Sequence, residues 1–374
     1  MLPQWYTIVT MKKNKIHLTN SIKGVIGCIL VAAGFVLLFI YRLSQDFSRW
    51  YSTRVYQIWV NITGRIMNVF PFSVSEVSLY ILIGIILVTG LRMFWRLVGR
   101  KSGKQEVCSG LLSFFLLAAV LFFLYVINCG INYNRESFTE SSGIVIEDYT
   151  ADELTEVCQW LTGEVNRLAE VVERDEEGVM QLAGSAAEGA VEAMEELGEE
   201  YPELAGYYPR PKALLIPWVL SIQHLSGIYS PFTIEANYNS GMVDYNIPFT
   251  ACHELSHLRG FMQEEEANFI AFLACSKSED MEFQYSGYLS GWTYCMNVLY
   301  NVDYDVWEKV REELTEAVEP DLKANREYWA SYDGTVAEVA NQINDTYLKA
   351  NGQADGVKSY NQMVDLIITY YHNF

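Results

Sequence analysis

Three long apolar runs occupy the first third of the chain, and amphipathic periodicity replaces them afterwards. Gly24 to Tyr41 is uninterrupted by charge and long enough to cross a bilayer as a helix. A second run extends from about Val77 to Leu91, closed by Arg92 and Trp95, and a third from about Gly110 to Asn128. These runs predict transmembrane helices over about 24–41, 77–95 and 110–128. No small-residue cleavage site follows the first, so it reads as an anchor and not as a removed signal peptide. Between the first two, residues 44–74 interleave Trp50, Tyr51, Tyr56 and Trp59 with Arg49, Arg54 and Arg65, a mixture suited to the membrane interface. Pro71-Phe72-Ser73 breaks that segment.

Past residue 130 the pattern changes. Residues 131–145 read as a linker. Thr150-Ala151-Asp152-Glu153 has the form of a capping box, and Asp152 to Glu200 has helical spacing broken near Gly178 and Gly184. Ile228 to Asn239 alternates up to Ser240-Gly241, and Met242 to Ile247 follows, which predicts a short β-hairpin leading into the next helix. Further helices are expected over Phe283–Leu299, Val306–Ala317, Leu322–Tyr332, Val336–Leu348 and Ser359–Tyr371, with a turn-rich loop at 351–357. The expected architecture is mainly α. A membrane region, 1–130, with three transmembrane helices precedes a mostly helical α+β domain, 131–374, with its small hairpin beside the motif helix.

Charge sharpens this division. Residues 1–130 hold 13 Lys/Arg against 3 Asp/Glu, and 131–374 hold 13 against 43, so the net −20 combines +10 with −30. Two regions in two environments are implied. Lysines before the first span, and Arg92, Arg96, Arg100, Lys101 and Lys104 between the second and third, place those segments in the cytoplasm. The expected protein is multi-pass in the cell membrane, with the C-terminal domain extracytoplasmic. An acidic domain of this kind is not a nucleic-acid binder. Seven cysteines without a CxxC pair argue against a cysteine zinc site or a dense disulfide framework, and Cys252 and Cys275 read as buried free thiols. The spans carry only Glu76 and Arg92, near their ends, which disfavours a transporter.

The candidate chemistry is concentrated in Ala251-Cys252-His253-Glu254-Leu255-Ser256-His257-Leu258-Arg259-Gly260. His253 and His257, four apart, share one helix face and can hold a zinc ion, with Glu254 placed as a general base. Gly260 ends that helix, and a second begins at once with Glu264, Glu265 and Glu266. A catalytic zinc site takes three protein ligands, commonly with a Glu from a following helix as the third, so these three compete. Glu264 and Glu266 project about 200° apart and cannot both face the metal equally. Asn268, four after Glu264, is suited to orient a ligand. Tyr285 and Tyr288 are the nearest downstream candidates for an oxyanion donor. His17, His224 and His372 have no partner spacing.

The His-Glu-Leu-Ser-His run, Gly260-Phe261 and Glu264-Glu265-Glu266-Ala267-Asn268-Phe269 resemble a family of uncharacterised bacterial multi-pass membrane proteins carrying a predicted gluzincin-type metallopeptidase domain. Pro71-Phe72-Ser73, Pro231-Phe232-Thr233, Glu235-Ala236, Pro248-Phe249-Thr250, Tyr347-Leu348-Lys349 and Ser359-Tyr360 fit the same pattern, so the resemblance covers most of the chain. It implies a zincin-like, minimal gluzincin fold, zinc as cofactor and a peptide or protein substrate. In related zinc peptidases the third ligand is the Glu three residues before an Ala that is followed by Asp or Asn. Carried over, this selects Glu264, with Ala267 packing close and Asn268 supporting. One departure is that only six residues separate His257 from Glu264, far fewer than in most gluzincins. The metzincin position for a third His is Gln263 here. The two helices must therefore fold back tightly at Gly260, and Glu266 stays an alternative ligand. The expected function is a membrane-anchored zinc metallopeptidase that hydrolyses an envelope or secreted peptide through a zinc-activated water. The alternative is a non-catalytic zinc-binding or sensory module on the same fold.

Overall fold

A computed structural model describes residues 4–99, 104–146, 148–353 and 362–373. Arg100, Lys101, residues 354–357 of the expected loop and the Ser359–Tyr360 pair lie outside them, as do the side chains of Lys12, Lys13, Lys15, His17 and Lys104. The first part comprises α1 (Gln4–Leu43), α2 (Gln45–Trp50), a π turn (Tyr51–Val55), α3 (Tyr56–Met67), α4 (Val74–Val98) and α5 (Lys104–Asn128). A 3-10 turn (Gly130–Asn134), α6 (Phe138–Ser142), α7 (Ala151–Ala169), α8 (Ala186–Glu200), β1 (Lys212–Ala213), α9 (Trp218–Ser221), β2 (Gly227–Ser230) and β3 (Glu235–Tyr238) follow. The chain closes with α10 (Asn246–Leu258), α11 (Glu264–Lys277), α12 (Met281–Val302), α13 (Tyr304–Glu312), α14 (Glu319–Ala330), α15 (Thr335–Ala350) and α16 (Met363–Asn373). It is mainly helical, as the periodicity predicts.

Leu18–Leu43, Val74–Arg96 and Val107–Asn134 are long and apolar enough to cross a membrane, each extending past the apolar run that predicted it. The first and third pack together because two glycines let rings approach the backbone. A Cβ on Gly27 or Gly34 would sit 2.5 Å from the ring of Phe115 or Phe122.

Two expectations about the segments beside the spans fail for one reason, burial. Residues 44–67 do not simply lie at an interface. Trp50 and Trp59 are exposed, but Tyr51, Tyr56 and Val60 are buried in the same cluster as Leu255, Leu258 and Phe261. The expected linker at 131–145 is likewise core. Ile131 and Phe138 are fully buried, and α6 carries its own capping box, Ser137 with Glu140. Phe138 lies edge-on to Phe261, with ring centroids 5.6 Å apart. The Thr150–Glu153 capping box is present at the start of α7. The buried stripe of that helix, Leu154, Val157, Cys158, Leu161, Val165 and Leu168, has the 3.6 period of an amphipathic helix.

The hairpin forms inside the alternating stretch, not across Ser240-Gly241. β2 and β3 pair antiparallel from Gly227↔Tyr238 to Ser230↔Glu235, with the reversal at Pro231–Ile234 and Ile234 at φ 55°. The Asn239 side chain accepts the Gly241 amide and ends the strand, so 242–245 lead into α10 without pairing. β1 adds to β3 in parallel, giving the order β1-β3-β2 and leaving β2 at the edge.

Carboxylates tie the sheet to the second apolar helix in both directions. Glu235 accepts the first amides of α4, Val74 and Ser75, at 3.1 and 2.8 Å, and the ammonium of buried Lys212. Glu76, in the first turn of α4, accepts the amides of Leu215 and Ile216 at 2.7 and 2.9 Å. Glu76 near the head of a span is thus accounted for as an anchor. At the centre of the domain α10 packs against α11, α8, α12 and β3.

Candidate metal centre

The site begins with how α10 ends. Gly260 adopts φ 99°, its amide reaches the His257 carbonyl, and the Phe261 amide reaches that of Ser256 at 3.1 Å. This pattern closes a helix with a left-handed glycine and turns the chain sharply. A Cβ on Gly260 would come within 3.2 Å of the Arg135 guanidinium. The last carbonyls of the helix still need donors. The Tyr56 hydroxyl serves Leu258 at 3.1 Å, and Gln57 and Arg135 serve Arg259 at 3.2 and 3.3 Å. The segments expected to be interfacial and linker therefore finish the motif helix.

Only Phe261, Met262 and Gln263 separate this turn from the first residue of α11, Glu264. The reversal brings Glu264 Oε2 to 3.3 Å from His253 Nε2 and 3.7 Å from His257 Nε2. One ligand atom from each of these three residues lies within 4.8 Å of the others, a spacing that can hold a metal ion. His257 Nδ1 is 2.8 Å from the Phe261 carbonyl, which directs that nitrogen's proton outward and leaves Nε2 to face Glu264. Asn268 lies beside His253 and favours its protonated form. The amide of Asn268 reaches the Tyr294 hydroxyl at 3.5 Å. Ala267 is fully buried.

Burial pushes the His253 imidazolium below its usual pKa. At His257 burial acts the same way, but the hydrogen bond and charge of Glu264, with the charge of Glu254, outweigh it and raise the pKa to about 9. Burial also works against the Glu264 carboxylate. Its bonds to both imidazoles and their charges nevertheless hold it well below the ordinary carboxylate range. The cluster is a half-buried carboxylate kept ionised between two imidazoles, a donor set with the charge and composition for a divalent cation.

Glu254 lies one residue from a ligand. Burial pushes its carboxyl up to about 8, and His257 and the Tyr229 amide oppose that shift. Its Oε2 is buried with no hydrogen-bond partner, while β2 presses on the other side. A Cβ on Gly227 would stand 2.5 Å from Glu254 Oε1.

Several expected residues sit elsewhere. Glu266 turns away from the histidines, as its 200° offset from Glu264 requires, and caps α6 through the amides of Phe138 and Thr139 at 2.8 and 3.3 Å. The Thr139 hydroxyl also bonds it, at 3.0 Å, so it is not the third member of the cluster. Tyr285 bonds Asp321 and Arg174 in the core, and Tyr288 packs on Trp160 and Phe272. Neither lines the cleft. Their face of α12 meets α7, whereas Ser290, Tyr294 and Asn297, on the other side of the helix, line it. That polar stripe at i, i+4 and i+7 was readable in the sequence as the side aimed at a cavity. Cys252 and Cys275 are buried free thiols with sulfurs 3.8 Å apart.

The cleft has a volume of about 1320 Å³. The cluster and Glu254 form one wall, Gly227 to Tyr229 of β2 another, and Ala337, Asn341 and Asn344 of α15 a third. Tyr125 of α5, Cys129 just after it and Tyr133 of the 3-10 turn close it on the side of the apolar helices. Asp333 and Glu338 also line it, with no Lys or Arg among the described residues of its lining. His224, with no partner spacing in the sequence, borders it as well, 3.5 Å from Asp333.

Fold and cluster together define a class: a mainly helical protein with three apolar helices compatible with membrane association and a His-His-Glu cluster on one wall of a cleft. The chain belongs to the family described as a protein of unknown function (DUF3810), whose model matches residues 51–368. No curated protein matches, and no solved structure does. The family's description carries no activity, so the peptidase expectation has no support from it and rests on the site.

Proposed function

We propose that this protein is a zinc-dependent metallopeptidase anchored in the cell membrane, with a zincin-like C-terminal domain on the extracytoplasmic side. The single observation that carries the reading is the convergence of His253, His257 and Glu264 beside a buried Glu254 whose Oε2 has no partner. His253 Nε2, His257 Nε2 and a Glu264 oxygen would hold the ion. When bound, zinc supplies Lewis acidity toward water and a carbonyl oxygen. Glu254 accepts the proton of the attacking water and delivers it to the leaving amine, so that one amide bond becomes a carboxylate and an amine. Asn268 holds His253 in orientation, and the Phe261 carbonyl does the same for His257.

β2, at the edge of the sheet beside Glu254, suits an extended peptide added as a further strand. The carboxylate-rich, Lys- and Arg-free lining favours neutral or basic segments over acidic ones. A zinc clip without turnover would need no base, and Glu254 is placed as one. Arg92, Arg96, Arg100, Lys101 and Lys104, between the second and third apolar helices, support the orientation, because basic connections favour the cytoplasmic side.

The test uses the full-length chain in detergent or nanodiscs. Elemental analysis should find zinc near one per chain in wild type and in Glu254→Gln, and none in His253→Ala. Cleavage of a mixed peptide library should be present only in wild type. Absence of zinc from wild type would sink the reading, and zinc without cleavage would favour the binding module.

A further inference from the structure

α15 shows three faces. Ala337 and Leu348 are its buried residues, and Ala337, Asn341 and Asn344 line the cleft. A charged flank holds Gln342, Asp345 and Lys349, the last two paired at 2.7 Å. The other flank is Val336, Val339, Ile343 and Tyr347, with the first three 54%, 47% and 64% exposed. At about 100° per residue the two flanks fall on opposite sides of the buried face. A helix with an apolar flank left uncovered beside a charged one has the pattern of an element lying in a lipid interface.

The surroundings identify what covers the apolar flank, because it runs directly onto a candidate span. The Tyr347 ring meets those of Tyr125 and Tyr133 with centroids 6.3 and 6.2 Å apart, and the Tyr125 hydroxyl donates to Asn351 at 2.7 Å. Both partner tyrosines belong to the apolar stretch Val107–Asn134. Two loops repeat the arrangement. Asn128, at the end of α5, donates to the Pro231 carbonyl at 2.7 Å beside exposed Phe232. Glu76, at the head of α4, holds Leu215 and Ile216, whose side chains are exposed along with Trp218. Each uncovered apolar group is moored at the end of a helix able to cross a membrane.

We propose that this face of the domain seats on the lipid surface, with the Val336–Val339–Ile343 flank of α15 in the headgroup region. The domain's strong negative charge makes apolar burial, not attraction to anionic lipid, the source of binding. Resting on the peptidase reading, α15 then separates lipid from cleft, and the substrate is a peptide tethered at the bilayer surface.

The experiment uses full-length protein with its two exposed thiols removed (Cys28→Ser, Cys108→Ser) and either Ile343→Cys or Gln342→Cys carrying an environment-sensitive fluorophore. Reconstituted in phosphatidylcholine vesicles containing a shallow nitroxide lipid, the label at 343 should be quenched about threefold more than that at 342. Equal quenching overturns the docking. Zinc measured on the same samples separates the two ideas. Unequal quenching without zinc leaves the docking standing and removes the peptidase, and zinc with equal quenching does the reverse. In an active preparation, Val339→Asp with Ile343→Asp should slow cleavage of a vesicle-tethered peptide about tenfold relative to the same peptide free in solution. Equal slowing of both overturns the substrate class.

Discussion

The cleft has two walls made differently. On one side α10 and α11 are buried almost throughout, the last carbonyls of α10 met by Tyr56, Gln57 and Arg135 and the junction closed at Gly260. On the other, α15 buries two residues and shows the rest. Side chains that must hold fixed positions belong on the first kind of wall, where packing and hydrogen bonds determine each rotamer. A wall with few buried contacts opens at small free-energy cost and suits a passage. The His253, His257 and Glu264 cluster lies on the first kind of wall, and α15 forms the second.

The sharpest way to break that contrast is to remove a ligand. Glu264→Ala should lower zinc affinity by well over about a hundredfold, since even partners behind the ligands are worth 10–100-fold in such sites. Competition against a chelator reads this directly, and unchanged affinity would take Glu264 out of the cluster. Next comes crowding without loss of a ligand. Gly227→Ala should displace Glu254 and reduce peptide cleavage about a hundredfold while zinc content stays near wild type. Glu266→Ala should keep its zinc but lose about 2 kcal/mol of stability, because buried amides of α6 lose their acceptor. Thermal unfolding with metal analysis decides it, and zinc loss matching that of Glu264→Ala would restore Glu266 as a ligand. Tyr56→Phe should destabilise by about 1 kcal/mol through the Leu258 carbonyl, which denaturant titration can resolve. On the open wall, Gln342→Ala should change stability by no more than about 0.5 kcal/mol in detergent. A larger loss would mean that α15 is as tightly held as α10.

What the sequence showed, and what it hid, follows the range of the interactions. The helices and the three apolar runs were legible because their periodicity is local. So was the pairing of His253 with His257, one turn apart. The first turn of α11 was reachable because Gly260 leaves the chain a short, sharp return, but the choice of Glu264 within it came from the family resemblance. The roles of Tyr56 and Arg135 were not legible. Each acts on a carbonyl more than 120 residues away, so Tyr56 looks interfacial and Arg135 sits in what reads as a linker. The oxyanion candidates failed on helix phase, since the face of α12 aimed at the cleft carries Tyr294 and not Tyr285 or Tyr288. A hairpin was expected, but its reversal lies at Pro231–Ile234, and an Asn239 side-chain bond ends β3 at the expected turn, features that strand alternation does not register.

The exchange between Glu76 and Glu235 sets an order of assembly. α4 is synthesised early, yet the acceptor for its first two amides arrives 160 and 161 residues later. Ser73 caps the Glu76 amide locally, but the Val74 and Ser75 amides lack their acceptor until the sheet forms and Lys212 and Glu235 close over them. Completion of the head of α4 therefore waits on a strand made far later. A chain cut between the two would leave one piece with an unfinished helix and the other with a buried ion pair exposed.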